Sequence, residues 1–185
     1  GRLLVFEGHD FYSHHRRWNY AHPAFRELRI QHNSDRYAYD LSVVDSAGTM
    51  YRGQGNEPED WLGFGTPVVA PGDGLVVESR NVGPDHGPNK VDWDEFKRNP
   101  KLGAGNYVLI DHGHGEWSML AHLKQGSVRV KAGDRVSQGQ PIGQMGFFGD
   151  AITVHLHYQL QSGPEFDVEG LPSVFSRYRR VLGDR

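Results

Sequence analysis

The sequence contains no cysteine. That absence removes disulfides, a thiol nucleophile and thiolate metal ligands, so any transition metal must be held by His, Asp or Glu; it does not decide the compartment. A basic excess is missing too. The 20 Lys and Arg stand against 23 Asp and Glu, a formal charge of −3, which leaves no surplus to condense on nucleic acid or an anionic membrane. The arginines near the end, Arg177, Arg179, Arg180 and Arg185, are too few for a DNA-binding face and read as solvated charges on a terminal helix. No stretch approaches the roughly 18 consecutive apolar residues that cross a bilayer. The opening GRLLVFEGHD lacks the apolar core of a signal peptide, which says nothing about export of a longer parent chain.

What is present in excess is histidine, 11 in 185 residues, and glycine, 24, with 10 prolines. The length suits one domain with a real core. Gly and Pro punctuate short β-prone runs, and this pattern predicts many short strands joined by turns: Arg36 to Val44, Leu75 to Ser79, Asn106 to Asp111, Trp117 to His122, Pro141 to Gln144 and Thr153 to Gln161. The fold class expected is mainly β, a sandwich or barrel with short peripheral helices. The helices expected are Asp92 to Lys97, inside a polar insert spanning 83–105, and Pro172 to Leu182, which opens on Pro as first turns often do. Residues 1–35 read as an irregular lead-in packed on a domain of 36–171, with 172–185 as the C-terminal helical segment. Gly65 to Val77 and Lys131 to Gly143 read as paired tight hairpins, as in carrier domains. A carrier or barrel-sandwich binding module needs a modifiable lysine at a hairpin tip, which the first hairpin lacks, and has no use for the histidines.

The strongest chemical signal is Val154-His155-Leu156-His157-Tyr158. On a strand, alternate residues share a face, so both imidazoles point into one space, roughly 7 Å apart. That is too wide for an easy chelate of one ion but suits one ligand beside one catalytic group. Asp40 interrupts the apolar, aromatic run Tyr37 to Val44; a buried carboxylate there needs a compensating cation, either Arg36 or a metal. His32 lies eight residues upstream of Asp40 and could return to the same pocket through a turn. His122, in LAHL, sits between apolar residues at a strand end.

From about Arg36 to Leu160 the chain resembles the lysostaphin-type or LytM-like zinc metalloendopeptidases: GTPVVAPGDGLVV, GNYVLIDHG, LAHL, VKAGDRVSQGQPIG and VHLHYQL match family blocks in order. The resemblance implies a compact β-sandwich or barrel-sandwich hybrid, one Zn²⁺ on a His, Asp, His set, and hydrolysis of peptidoglycan peptides. It makes His157 the last ligand, Asp40 the ligand aspartate, and His155 and His122 the catalytic pair. The usual H-x-x-x-D spacing fails, because position 36 is Arg. His32 is the nearest replacement and is preferred; His14 or His15 is the alternative and needs a longer loop. The stretch Gly146 to Asp150 also departs from the small polar residues of many relatives, and its bulk would narrow the groove. Tyr107, Trp117 and Tyr158 are candidate groove walls by strand parity, with core packing as their other reading. The resemblance further implies an extracytoplasmic setting, and a monomer is expected. The rival reading is an inactive LytM-like domain that binds wall or activates another hydrolase.

Overall fold

In the computed structural model, residues 2–19, 21–27, 30–88 and 90–179 are described. Ten strands carry the architecture: β1 (Arg2–Glu7), β2 (Tyr39–Val44), β3 (Pro67–Val69), β4 (Gly74–Arg80), β5 (Tyr107–Gly113), β6 (Glu116–Ala121), β7 (Arg135–Val136), β8 (Pro141–Gln144), β9 (Leu156–Gln161) and β10 (Gly170–Leu171). Eight form one antiparallel sheet in the order β1-β2-β9-β6-β5-β4-β7, with β10 also on β9, while β3 and β8 make a separate ribbon. Among the described residues, α-helix is confined to two short segments, α1 (Pro23–Glu27) and α2 (Trp93–Arg98), with single 3-10 turns at His15–Arg17, Pro58–Asp60 and Pro100–Leu102. The molecule is mainly β, as expected.

Strand parity divides the sheet into two faces. Val76, Val108, Ile110 and Leu120 point toward the ribbon and pack with Val68, Ile142 and Phe147 into the main core. Leu109, Met119 and Ala121, with Tyr107, form a smaller cluster on the other face. Because Ala121 is the register partner of His157 and Met119 that of Gln159, the polar residues of β9 lie on this second face. Glu7, Asp40, His157 and Ala121 are consecutive register partners across β1, β2, β9 and β6. One row of the sheet therefore collects the groups that carry charge.

Several expected elements differ in extent. β2 starts at Tyr39 rather than Arg36, because the Arg36 and Ala38 amides donate to the carbonyls of Asn33 and Asp35 in turns. Residues 2–7 of the lead-in form an edge strand. The C-terminal helix is not found in the described residues 172–179; the Tyr39 hydroxyl donates to the Ser173 carbonyl at 3.0 Å and the Phe175 ring packs 5.2 Å from that of Tyr39, contacts that hold this stretch non-helical along the sheet. Residues 180–185 lie outside the described ones. Tyr107 and Trp117 pack in the smaller cluster and Tyr158 against the main core, and none of the three lines the cavity beside Asp40 and His157. Phe147 likewise goes into the main core. Its bulk fills the interior.

Candidate functional site

Asp40 and His157 face each other directly on β2 and β9, both buried, with His157 Nδ1 3.0 Å from Asp40 Oδ1. His155 immediately precedes β9, its Nε2 3.6 Å from the same oxygen. His122 follows β6 with φ +58°, a left-handed conformation that a non-glycine residue adopts only when its surroundings hold it. They do: its amide donates to the Ala104 carbonyl at 3.0 Å and its carbonyl accepts from Gly146 at 2.9 Å. The ring is turned onto those of His155 and His157, at centroid distances of 4.6 and 5.8 Å.

The fourth histidine of the cluster is His15. Its Nε2 lies 3.6 Å from Asp40 Oδ2, and the residue is 6% exposed. His15, Asp40 and His157 offer donor atoms within 4.8 Å of one another, all buried. His32, the preferred first ligand from sequence, is not part of this group. Its side chain is about half exposed and pairs with Asp167 at 3.2 Å, and that carboxylate also accepts the Gln31 and His32 amides at 2.8 Å each. The reason His15 reaches the site lies in register. Glu7 is opposite Asp40, so the chain leaving β1 begins beside the site and needs only a short loop. Arg36 is not the counter-ion of Asp40 either; it pairs with Glu169 at 3.6 Å.

Ring tautomers follow from the partners. His122 Nδ1 donates to the Phe148 carbonyl at 2.8 Å and His155 Nδ1 to the Thr153 carbonyl at 2.9 Å, so both rings turn an Nε2 lone pair into the site. Burial pushes both below the usual histidine range, helped for His122 by the neighbouring His155 and His157. His15 is lowered to about 4 by burial and by His157. These three rings are neutral at pH 7. His157 is the exception: burial opposes its charge, but the hydrogen bond and charge of Asp40 raise it to about 10. Asp40, despite burial, is held well below the carboxylate range by His157, His155 and His15. The pocket therefore accommodates one positive charge between Asp40 and His157.

Sequence reasoning missed a chain of amides behind His157. Gln161 Nε2 donates to the carbonyls of Gly163 and Glu165, at 2.7 and 3.0 Å, which leaves its Oε1 as acceptor for Gln159 Nε2 at 2.6 Å. Gln159 must then turn Oε1 to His157 Nε2, 2.7 Å away. His157 Nε2 is thus fixed as a donor, and Nδ1 is fixed as the atom facing Asp40. The signal was available in the same-face run His157, Gln159, Gln161. Also missed was Asn106, fully buried, whose amide ties Val82 and Gly83 to the Leu123 carbonyl beside His122. A third is Asp150, with Oδ1 3.7 Å from His122 Nε2 and a carboxyl that burial raises to about 7. It is placed by glycines: a Cβ at Gly105 or Gly149 would collide with backbone of the facing segment, so the two loops can meet only without side chains there.

The cluster lies in the wall of a cavity of about 710 Å³, which is also bordered by Phe6, Ile152, Lys101 and Asp150. Lys101 belongs to the polar insert, so part of that excursion shapes the cavity. The donor set, two imidazoles and a carboxylate, suits a zinc-class ion and leaves a coordination position over. Among the described residues, no helix is long and apolar enough to cross a membrane.

The pattern of Peptidase family M23 matches residues 61–167. Peptidoglycan DD-endopeptidase ShyA of Vibrio cholerae is 40% identical over 97 residues, which is 52% of this chain and 18% of that protein. Cell division protein DipM of Caulobacter vibrioides is 28% identical over 150 residues, 78% of this chain and 21% of that protein. The chain thus spans about a fifth of the length of these curated relatives. Among solved structures, lysostaphin from Staphylococcus simulans aligns with 74% of this chain and 41% of that one, at 23% identity and a TM-score of 0.46. The resemblance read from the sequence blocks is borne out. His15 and Asp40 both lie outside the matched stretch.

Proposed function

The chain belongs to peptidase family M23, and we propose that it is a zinc-dependent endopeptidase acting on the cross-links or stem peptides of bacterial peptidoglycan in an extracytoplasmic setting. The observation that carries this reading is the convergence of buried His15, Asp40 and His157, with His122 and His155 beside them, in the wall of one large cavity. His15, Asp40 and His157 would hold the metal. A zinc ion there would polarise the scissile carbonyl and acidify a water to a pKa of about 7. The protein residues supply the rest. His122 and His155 are neutral, and each presents an unprotonated Nε2, the form required to accept a proton from the attacking water. One of them then returns a proton to the leaving amine. When such a ring becomes charged, the Phe148 carbonyl and Asp150 carboxyl beside His122 stabilise it. Asp40 does the same for His155.

The test is digestion of purified peptidoglycan by the zinc-loaded protein, with new amino and carboxyl termini located by mass spectrometry. Cleavage that stops with a chelator, returns with zinc and is lost in His122→Ala supports the reading. Zinc-loaded protein that cuts no peptide bond in peptidoglycans of differing cross-bridge overturns it.

A further inference from the structure

The row that crosses the site does not end at Asp40. Its next member is Glu7, on β1, and Glu7, His14 and His15 form a second group of donors within 4.8 Å of one another. One part of this group has an ordinary explanation. Glu7 accepts the His14 amide at 3.0 Å and pairs with the His14 ring at 3.0 Å, which clamps the loop that carries His15.

That clamp does not account for His15 itself. The residue is buried, and its Nδ1 has no hydrogen-bond partner among the described residues. An orphaned buried ring nitrogen costs free energy unless something binds it. Since Nε2 is the nitrogen turned to Asp40, the unpartnered Nδ1 is the donor that remains for a second ligand.

We propose that Glu7, His14 and His15 form a second divalent transition-metal site, adjoining the first and sharing His15 as a bridging ligand. Two imidazoles and one carboxylate select zinc, cobalt or copper over magnesium or calcium, which prefer all-oxygen sites. With both ring nitrogens coordinated, His15 gives up its remaining proton to solvent and becomes an imidazolate. The second site is the weaker one, because the His14 side chain is 58% exposed and two dications on one ring repel. Glu7 and His14 line the cavity, which places the second ion beside the space the substrate would enter.

The test is a zinc titration of the metal-free 185-residue chain by calorimetry, with bound metal counted by elemental analysis. Wild type takes up two ions, the second about tenfold or more weaker. Glu7→Gln and His14→Ala each keep the tight ion and lose the weak one, His32→Ala keeps both, and Asp40→Ala keeps only a weak one. Saturation of wild type at one tight ion, or two ions in His14→Ala, overturns the second site. The second site extends the peptidase reading, and the two fail separately. A single tight ion abolished by Asp40→Ala leaves the first site standing, whereas absence of a tight ion with a weak one retained removes only the first.

Discussion

Replacing Gln159 by Met tests whether the buried amide chain positions His157 for the proposed metal. The substitution keeps length and volume but removes the acceptor of His157 Nε2–H and the donor to Gln161 Oε1, at 2.7 and 2.6 Å. Each buried polar group left unpaired costs roughly 1–3 kcal/mol. His157 is then free to turn or to exchange the proton between its ring nitrogens, so Nδ1 is no longer held toward Asp40. Loss of such an outer partner weakens metal binding about 10- to 100-fold, equivalent to about 1.4–2.7 kcal/mol. Zinc affinity would be measured by competition with a chromophoric chelator, and the stability of the metal-free protein by thermal melting. Both are expected to fall. Gln161→Met, one link further back, lowers zinc affinity by a smaller factor, because Gln159 still reaches His157 but can rotate its amide. A Gln159→Met protein that binds zinc within about twofold of wild type refutes the positioning argument.

Three further outcomes are expected. His155→Ala lowers peptide hydrolysis about 10²- to 10⁴-fold while zinc content stays at the wild-type level; loss of zinc along with activity would make His155 a ligand. In metal-free protein, Asp150→Asn becomes more stable relative to wild type as pH rises from about 4 to about 7 and then levels off. The sign follows from the native carboxyl titrating near 7, above its ordinary 3.8, so the native state keeps a proton that the unfolded chain releases; a pH-independent difference in denaturant melts would contradict it. Phe147→Ala, which empties a fully buried position packed 5.6 Å from the Trp61 ring, costs about 3–5 kcal/mol in chemical unfolding, and a loss under about 1 kcal/mol would show that the core closes over it.

The parts of the fold that were legible in the sequence are the strands that pack into the core. β8 was read at its observed bounds, and β4, β5 and β6 within a residue or two, because each is a β-prone run bounded by Gly, Pro, Asn or Asp. β1 was illegible for the converse reason. Residues Leu3 to Phe6 are all exposed at the sheet edge, so no period-2 signal marks them. That omission hid the placement of His15. Without β1 there was no register to bring His15 beside Asp40, and nearness in sequence favoured His32, which a carboxylate 135 residues away holds elsewhere. The terminal helix failed through tertiary override: Pro172 opens a plausible helix, but Ser173 and Phe175 are engaged by Tyr39. His122, His155, His157 and Asp40 could be read because each sits in a distinctive local sequence. Gln159 and Asp150 gain meaning only from what they face.

The most direct test of the account is the zinc that survives dialysis in wild type, His15→Ala and His32→Ala. The account predicts about one tightly held zinc per chain in wild type and in His32→Ala, and none in His15→Ala. Zinc retained by His15→Ala and lost from His32→Ala would contradict it.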